Sequence, residues 1–160
     1  MQILQHENNG RLEVILETVK APFSIRLFLG IFMVIGFLTP VAVFILNLYK
    51  DLDFGFSFVT TVIIGLLVGF YLLRLILWNT YGKEYLTLYS DKIEYQCDYK
   101  YFKGGMKTLN GRQITAEPKW DPRVSGGKLK IASENGSIDT SIHMPEEKLI
   151  KLAETINNHY

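Results

Sequence analysis

The chain has 160 residues, with 17 basic and 16 acidic side chains for a net charge of +1, and 48% of its residues are hydrophobic. That length allows one small folded domain with added elements, and the near-neutral balance gives no electrostatic ground for a nucleic-acid partner. The apolar excess is concentrated, with no charged residue between Leu27 and Tyr49 and none between Ser57 and Leu73.

Residues 1–10, MQILQHENNG, are polar and read as a loose terminus. In RLEVILETVK, alternation sets Leu12, Val14 and Leu16 opposite Glu13 and Glu17, as in a strand. Helical spacing through Leu12, Ile15, Leu16 and Val19 also fits. The β-branched content and the preceding Asn-Asn-Gly favour a strand over 11–19, within an N-terminal segment of residues 1–23.

The two apolar stretches come next, expected as membrane spans at about 27–49 and 57–78 of a hairpin covering 24–81. At 1.5 Å per residue, about 20 residues cross a hydrocarbon core of roughly 30 Å. Leu27–Tyr49 begins too far in, is too long and lacks the small-residue cleavage site of a cleaved leader. A domain this small could not bury two helices that are apolar on every face.

The connection Lys50–Ser57 is short, so the spans are antiparallel and both chain ends emerge on one side. Arg11, Lys20, Arg26, Arg74 and Lys83 flank that side, against Lys50 alone in the loop. The excess of positive charge predicts both termini in the cytoplasm. Tyr49, Phe54 and Phe56 at one surface, with Trp78 and Tyr81 at the other, stand where interfacial aromatic belts form. Arg26, Arg74 and Trp78 then serve as membrane anchors, the arginines extending to the headgroups. Gly65 and Gly69 form a small-xxx-small pattern that admits a close helix. Gly30 and Gly36 of the first span, which Pro40 is expected to bend, are the nearest partners; a second copy or a foreign helix are the alternatives.

After Gly82 the period changes to two. KIEYQCDYK alternates Ile93, Tyr95, Cys97 and Tyr99 against Glu94, Gln96 and Asp98, an antiparallel strand with one wet face. Leu86 and Leu88 mark the strand before it. Leu129 and Ile131 mark a later one, joined through ENGS to Ile138, Thr140 and Ile142. Asn-Gly signals a hairpin there and again at Asn110-Gly111. Glu117–Gly127, EPKWDPRVSGG, reads as the longest irregular stretch. Pro145 opens a helix with Glu146 and Glu147 in its first turn and an apolar stripe of Leu149, Leu152, Ala153 and Ile156.

Catalytic signals are missing from the sequence. His6, His143 and His159 make no metal-ligand spacing with Cys97 or with carboxylates, and there is neither a phosphate loop nor a serine elbow. Cys97 falls on the apolar face of its strand, as a core residue. No cofactor is expected. From Lys100 to Lys130 there are eight basic residues against Glu117 and Asp121. Lys100, Lys103, Lys107 and Arg123, with Trp120 between its prolines, are the candidate contacts to anionic lipid or to a protein partner. A solvated sheet face is the plainer reading of the same lysines.

YGKEYLTLYSDKIEYQ, GGKLKIASENGSIDTSI and MPEEKLIKLAETINN, following a two-span hairpin, resemble the bacterial pleckstrin-homology-like membrane proteins. The resemblance implies an α+β membrane protein: a transmembrane hairpin, then a small antiparallel β-sheet domain at 82–160 with a C-terminal capping helix. It further implies that RLEVILETV could join that sheet, and it places the chain in a bacterial inner membrane. The first hairpin, YSDKIEY, offers only Lys92 where inositide-binding members carry several basic residues. The expected function is a non-enzymatic, membrane-anchored interaction module for a protein partner, which could include a second copy, or for membrane lipid. Immunity to a membrane-acting toxin and an accessory role in a larger membrane complex are the alternatives.

Overall fold

A computed structural model of the chain describes residues 3–8, 11–50, 55–111, 113–122 and 126–160. It is α+β. The elements in order are β1 (Ile3–Asn8), β2 (Arg11–Glu17), α1 (Phe23–Tyr49), α2 (Phe56–Tyr81), β3 (Lys83–Leu88), β4 (Lys92–Asp98), β5 (Lys103–Asn110), β6 (Thr115–Trp120), β7 (Gly127–Ser133), β8 (Gly136–Asp139) and α3 (Glu146–Asn157). Residues 1–19 with 81–160 make one compact unit, and residues 20–80 make the other.

In the first unit, β1 to β5 form an antiparallel sheet in sequence order, and β6 to β8 form a second. β2 lies between β1 and β3, with Val14 opposite Leu86 and Leu16 opposite Glu84, so the segment before α1 is built into the sheet that follows α2. The inward positions of β2, β3, β4 and β7 are fully buried at Val14, Leu16, Leu86, Leu88, Ile93, Leu129 and Ile131. α3 closes this core with Leu149, Leu152, Ala153 and Ile156, the stripe read from its helical spacing. Asn157 fastens the end of α3 to β6: its side chain accepts from the Ala116 N–H at 2.7 Å and donates to the Ala116 carbonyl at 3.1 Å.

Three expectations are corrected. Residues 3–8 are not loose but form β1, paired from Ile3–Leu16 to Asn8–Arg11. An outer strand needs little apolar content, because backbone hydrogen bonds to β2 hold it. Asn110-Gly111 does not turn a hairpin, since β5 and β6 belong to different sheets. The Asn110 carbonyl is taken instead by the Ser133 hydroxyl, at the end of β7, and the Asn135 amide, in the β7–β8 turn. Glu117–Trp120 is not irregular but lies in β6, on the outside of its sheet, where Pro118 removes no needed ladder bond. ENGS does close a hairpin, with Ser133 opposite Gly136, whose φ of 149° suits glycine.

In the second unit, α1 runs unbroken through Pro40 for 27 residues, and α2 has 26. Both are long and apolar enough to cross a membrane. Phe54 falls outside the described residues.

Candidate functional site

In the helical unit, the buried residues among those described are Gly36, Pro40, Gly65, Gly69 and Leu77. A Cβ at Gly65 would stand 2.8 Å from Pro40 Cγ and 3.1 Å from the Gly36 carbonyl oxygen. One at Gly69 would meet the Phe37 ring at 3.1 Å, and one at Gly36 would meet the Gly69 nitrogen at 3.1 Å. The small residues therefore serve the α1–α2 contact inside one chain. Gly30 is not part of this seam, for a Cβ there meets nothing within 4 Å. Outside the seam the helices present exposed Leu27, Phe28, Ile31, Phe44, Ile63, Leu67 and Phe70. Arg26 is half-buried, Arg74 exposed and Trp78 half-buried.

The sheet unit gathers lysines and aromatics at one end. Glu17 pairs with Lys83, Lys83 with Asp98, and Asp98 with Lys103, one row across the sheet. The chain leaves β2 and enters β3 at this row, so the β4–β5 turn shares the end that connects to α1 and α2. Asp98 Oδ1 accepts from the Lys100 N–H at 2.6 Å, and the Tyr99 N–H bonds the Phe102 carbonyl at 3.0 Å. These two bonds hold Lys100 at a φ of 79°, left-handed backbone that a lysine rarely adopts.

The result is specific placement of charge. Lys100 Nζ stands 4.1 Å from the centre of the Tyr81 ring and 5.3 Å from that of Tyr101, while Lys103 Nζ stands 5.6 Å from that of Tyr85. Cations over aromatic faces gain about 0.5–1 kcal/mol at exposed sites and are held in place without losing their charge. Tyr99 stacks on Phe102 with ring centres 4.7 Å apart. Tyr101 is 73% exposed, Met106 65% and Phe102 42%, three apolar tips among the lysines.

Of the residues singled out in the sequence, Lys100 and Lys103 thus come together. Lys107 is exposed within β5. Trp120 is half-exposed at the end of β6 in the other sheet. Neighbouring Lys119 is ion-paired with Asp139 at 2.6 Å, and Asp121 faces His143 at 3.2 Å. Arg123 lies outside the described residues. Among the described residues no three His, Cys, Asp or Glu side chains gather as a metal site.

Sequence reasoning passed over Glu84. It is fully buried, and its Oε1 accepts from the Tyr95 hydroxyl at 2.9 Å, the Ser141 N–H at 2.6 Å and the Ile142 N–H at 3.2 Å. Cys97 Sγ lies 3.0 Å from the same hydroxyl. Glu84 Oε2 is buried without a hydrogen-bond partner. Burial pushes the carboxyl pKa above its ordinary value, outweighing the bonds from Ser141, Tyr95 and Ile142. The Tyr95 hydroxyl is pushed up too, first by burial and then by Glu84. Glu84 pins the β8–α3 connection to β3. The signal was its period, since Glu84 falls on the same face as Leu86 and Leu88.

No protein-family model matches the chain, and no curated protein matches it.

Proposed function

We propose that α1 and α2 cross a bacterial inner membrane as a hairpin and hold a pleckstrin-homology-like sheet domain at the cytoplasmic leaflet. There the β4–β5 turn binds anionic lipid headgroups, with no reaction catalysed. The hairpin reading draws on helix surfaces that are apolar on all sides and on a seam of glycines and Pro40 that packs the two helices without a third. That use of Gly36, Gly65 and Gly69 within the chain weighs against the reading in which they pack on a foreign subunit.

The observation that carries the lipid reading is Lys100 Nζ over Tyr81, the last residue of α2. A lysine tied to the residue at which a span ends stands at headgroup depth. Tyr101, Phe102 and Met106 supply apolar tips for the interface, and Lys103 and Lys107 add charge. At about 1 kcal/mol per lysine near an anionic surface, the three contribute about 3 kcal/mol, or about a hundredfold in docking.

The test uses full-length protein in nanodiscs, with a bimane label on Met106→Cys and doxyl-lipid quenching. Quenching should be stronger with phosphatidylserine than with phosphatidylcholine alone, fall at high salt, and be lost on changing Lys100, Lys103 and Lys107 to Gln. Equal quenching in both lipids, unaltered by the triple change, overturns the reading.

A further inference from the structure

Three segments of the chain wall the carboxyl of Glu84. β2 sets Leu16 opposite it, and the neighbouring Glu17 turns away to Lys83. β4 sets Cys97 opposite it and brings the Tyr95 hydroxyl to Oε1. Lys107, which pairs with Tyr95 from β5, is exposed. The third wall is the β8–α3 connection, whose Ser141 and Ile142 amides donate to Oε1, while His143 turns to Asp121. The buried side chains of α3 and β7 are apolar. Among the described residues no ion pair includes Glu84, and its Oε2 is buried without a hydrogen-bond partner.

The walls are not equally firm. β2, β3 and β4 are neighbours in one sheet and pair residue by residue. The connection is tied to β7 at its two ends, where the Thr140 N–H donates to the Leu129 carbonyl at 2.9 Å and the Met144 N–H to the Gly127 carbonyl at 2.8 Å. Between those ties the Ser141 and Ile142 amides rest on Glu84, and Ser141 is exposed. A charge on Glu84 would gain from the three donors at Oε1 but leave Oε2 bare in the core, and burial outweighs the three bonds. Lifting residues 141–143 brings water to the carboxyl without parting a strand pair.

We propose that Glu84 is a proton-operated latch: its neutral carboxyl holds residues 141–143 closed, and loss of the proton lets that segment lift while β2, β3 and β4 stay paired. Lifting uncovers Ile142, which is 5% exposed when closed. In the lifted state the carboxyl meets water and regains its ordinary acidity. Lifting therefore releases one proton wherever the pH lies between the ordinary glutamate pKa and the raised value of the closed state. Over that range the equilibrium constant for lifting rises about tenfold per pH unit, and on either side of it the constant is level. The latch stands on the sheet domain alone and does not depend on lipid docking.

The test is hydrogen exchange read by mass spectrometry on the full-length protein in phosphatidylcholine nanodiscs, where the anionic-lipid reading is not engaged. Exchange is followed from about pH 4 to about pH 8 and corrected for the chemical rate at each pH, which brackets the glutamate range from below. Residues 140–145 should open more readily than β4 at every pH, and their opening constant should rise by up to about tenfold per pH unit above the ordinary glutamate pKa. Glu84→Gln, which has no proton to lose, should hold that constant level. His143→Gln, which removes the pair with Asp121, should keep the wild-type rise. A level constant in the wild type, or residues 140–145 opening only as β4 opens, overturns the proposal, and both are read without any variant. An undiminished rise in Glu84→Gln, or its loss in His143→Gln, overturns it as well.

Discussion

Replacing Glu84 tests the link between the buried carboxyl and the stability of the sheet domain. In Glu84→Leu three donors lose their acceptor. The Tyr95 hydroxyl keeps Cys97 Sγ at 3.0 Å and Ser141 Oγ at 3.4 Å, and exposed Ser141 can turn its N–H to water. The buried Ile142 N–H has no such recourse. An unsatisfied buried donor costs about 1–3 kcal/mol, so Glu84→Leu is expected to cost about 2 kcal/mol. For a domain of about a hundred residues that lowers the melting temperature by about 10 °C. Glu84→Gln keeps the acceptor oxygen and should stay within about 1 kcal/mol of the wild type.

The pH dependence separates the two roles of this carboxyl. Burial raises its folded pKa, so the folded state favours the protonated form. Its stabilising contribution is complete below the unfolded glutamate pKa and declines as pH rises through the folded value. Wild type minus Glu84→Gln should therefore show stability falling from acid toward neutral pH, while the variant lacks that component. Thermal melts of the full-length protein in one detergent, across pH, supply both readings. A Leu variant as stable as the wild type, or a wild-type-minus-Gln difference that is flat or rises with pH, would refute the reasoning.

Gly65→Val drives a Cβ to 2.8 Å from Pro40 and should loosen the helix pair by about 1–3 kcal/mol, whereas Gly30→Val, in open space, should leave it unchanged; melts of the helical signal in detergent distinguish them. Asn157→Ala removes both bonds to Ala116 and should cost about 2 kcal/mol, speeding hydrogen exchange in β6 and the last turn of α3 before the rest of the sheet. Gly126→Ala sets a Cβ against the Met144 carbonyl at a φ of 126°, and should destabilise the β6–β7 connection, read as faster proteolysis there.

Legibility in the sequence followed the strength of burial. β4 was plain because every second residue from Ile93 to Tyr99 is buried, and α3 was plain because its stripe meets a core. β1 was hidden because an outer strand is specified by backbone pairing, which leaves little mark on composition. β6 was hidden behind Pro118, a residue that argues against a central strand but not against an outer one. Asn110-Gly111 misled because local turn chemistry is the same whether the next strand folds back or crosses to a second sheet; Ser133 and Asn135, more than twenty residues on, decide it.

The lysine-rich turn was visible as charge, but its aromatic partners were not. Tyr81 and Tyr85 precede Lys100 and Lys103 by 19 and 18 residues; the β3–β4–β5 register brings Lys103 to Tyr85, and the β4–β5 turn brings Lys100 to Tyr81. The same register explains why these lysines differ from Lys119, whose charge Asp139 offsets. Lys100 and Lys103 rest on rings, which position an ammonium without neutralising it. The fold therefore divides its polar chemistry by location: a solvent-shielded carboxyl that ties β3 to the connection before α3, and, where the chain leaves β2 and enters β3, a Glu17–Lys83 ion pair in the same row as Lys103.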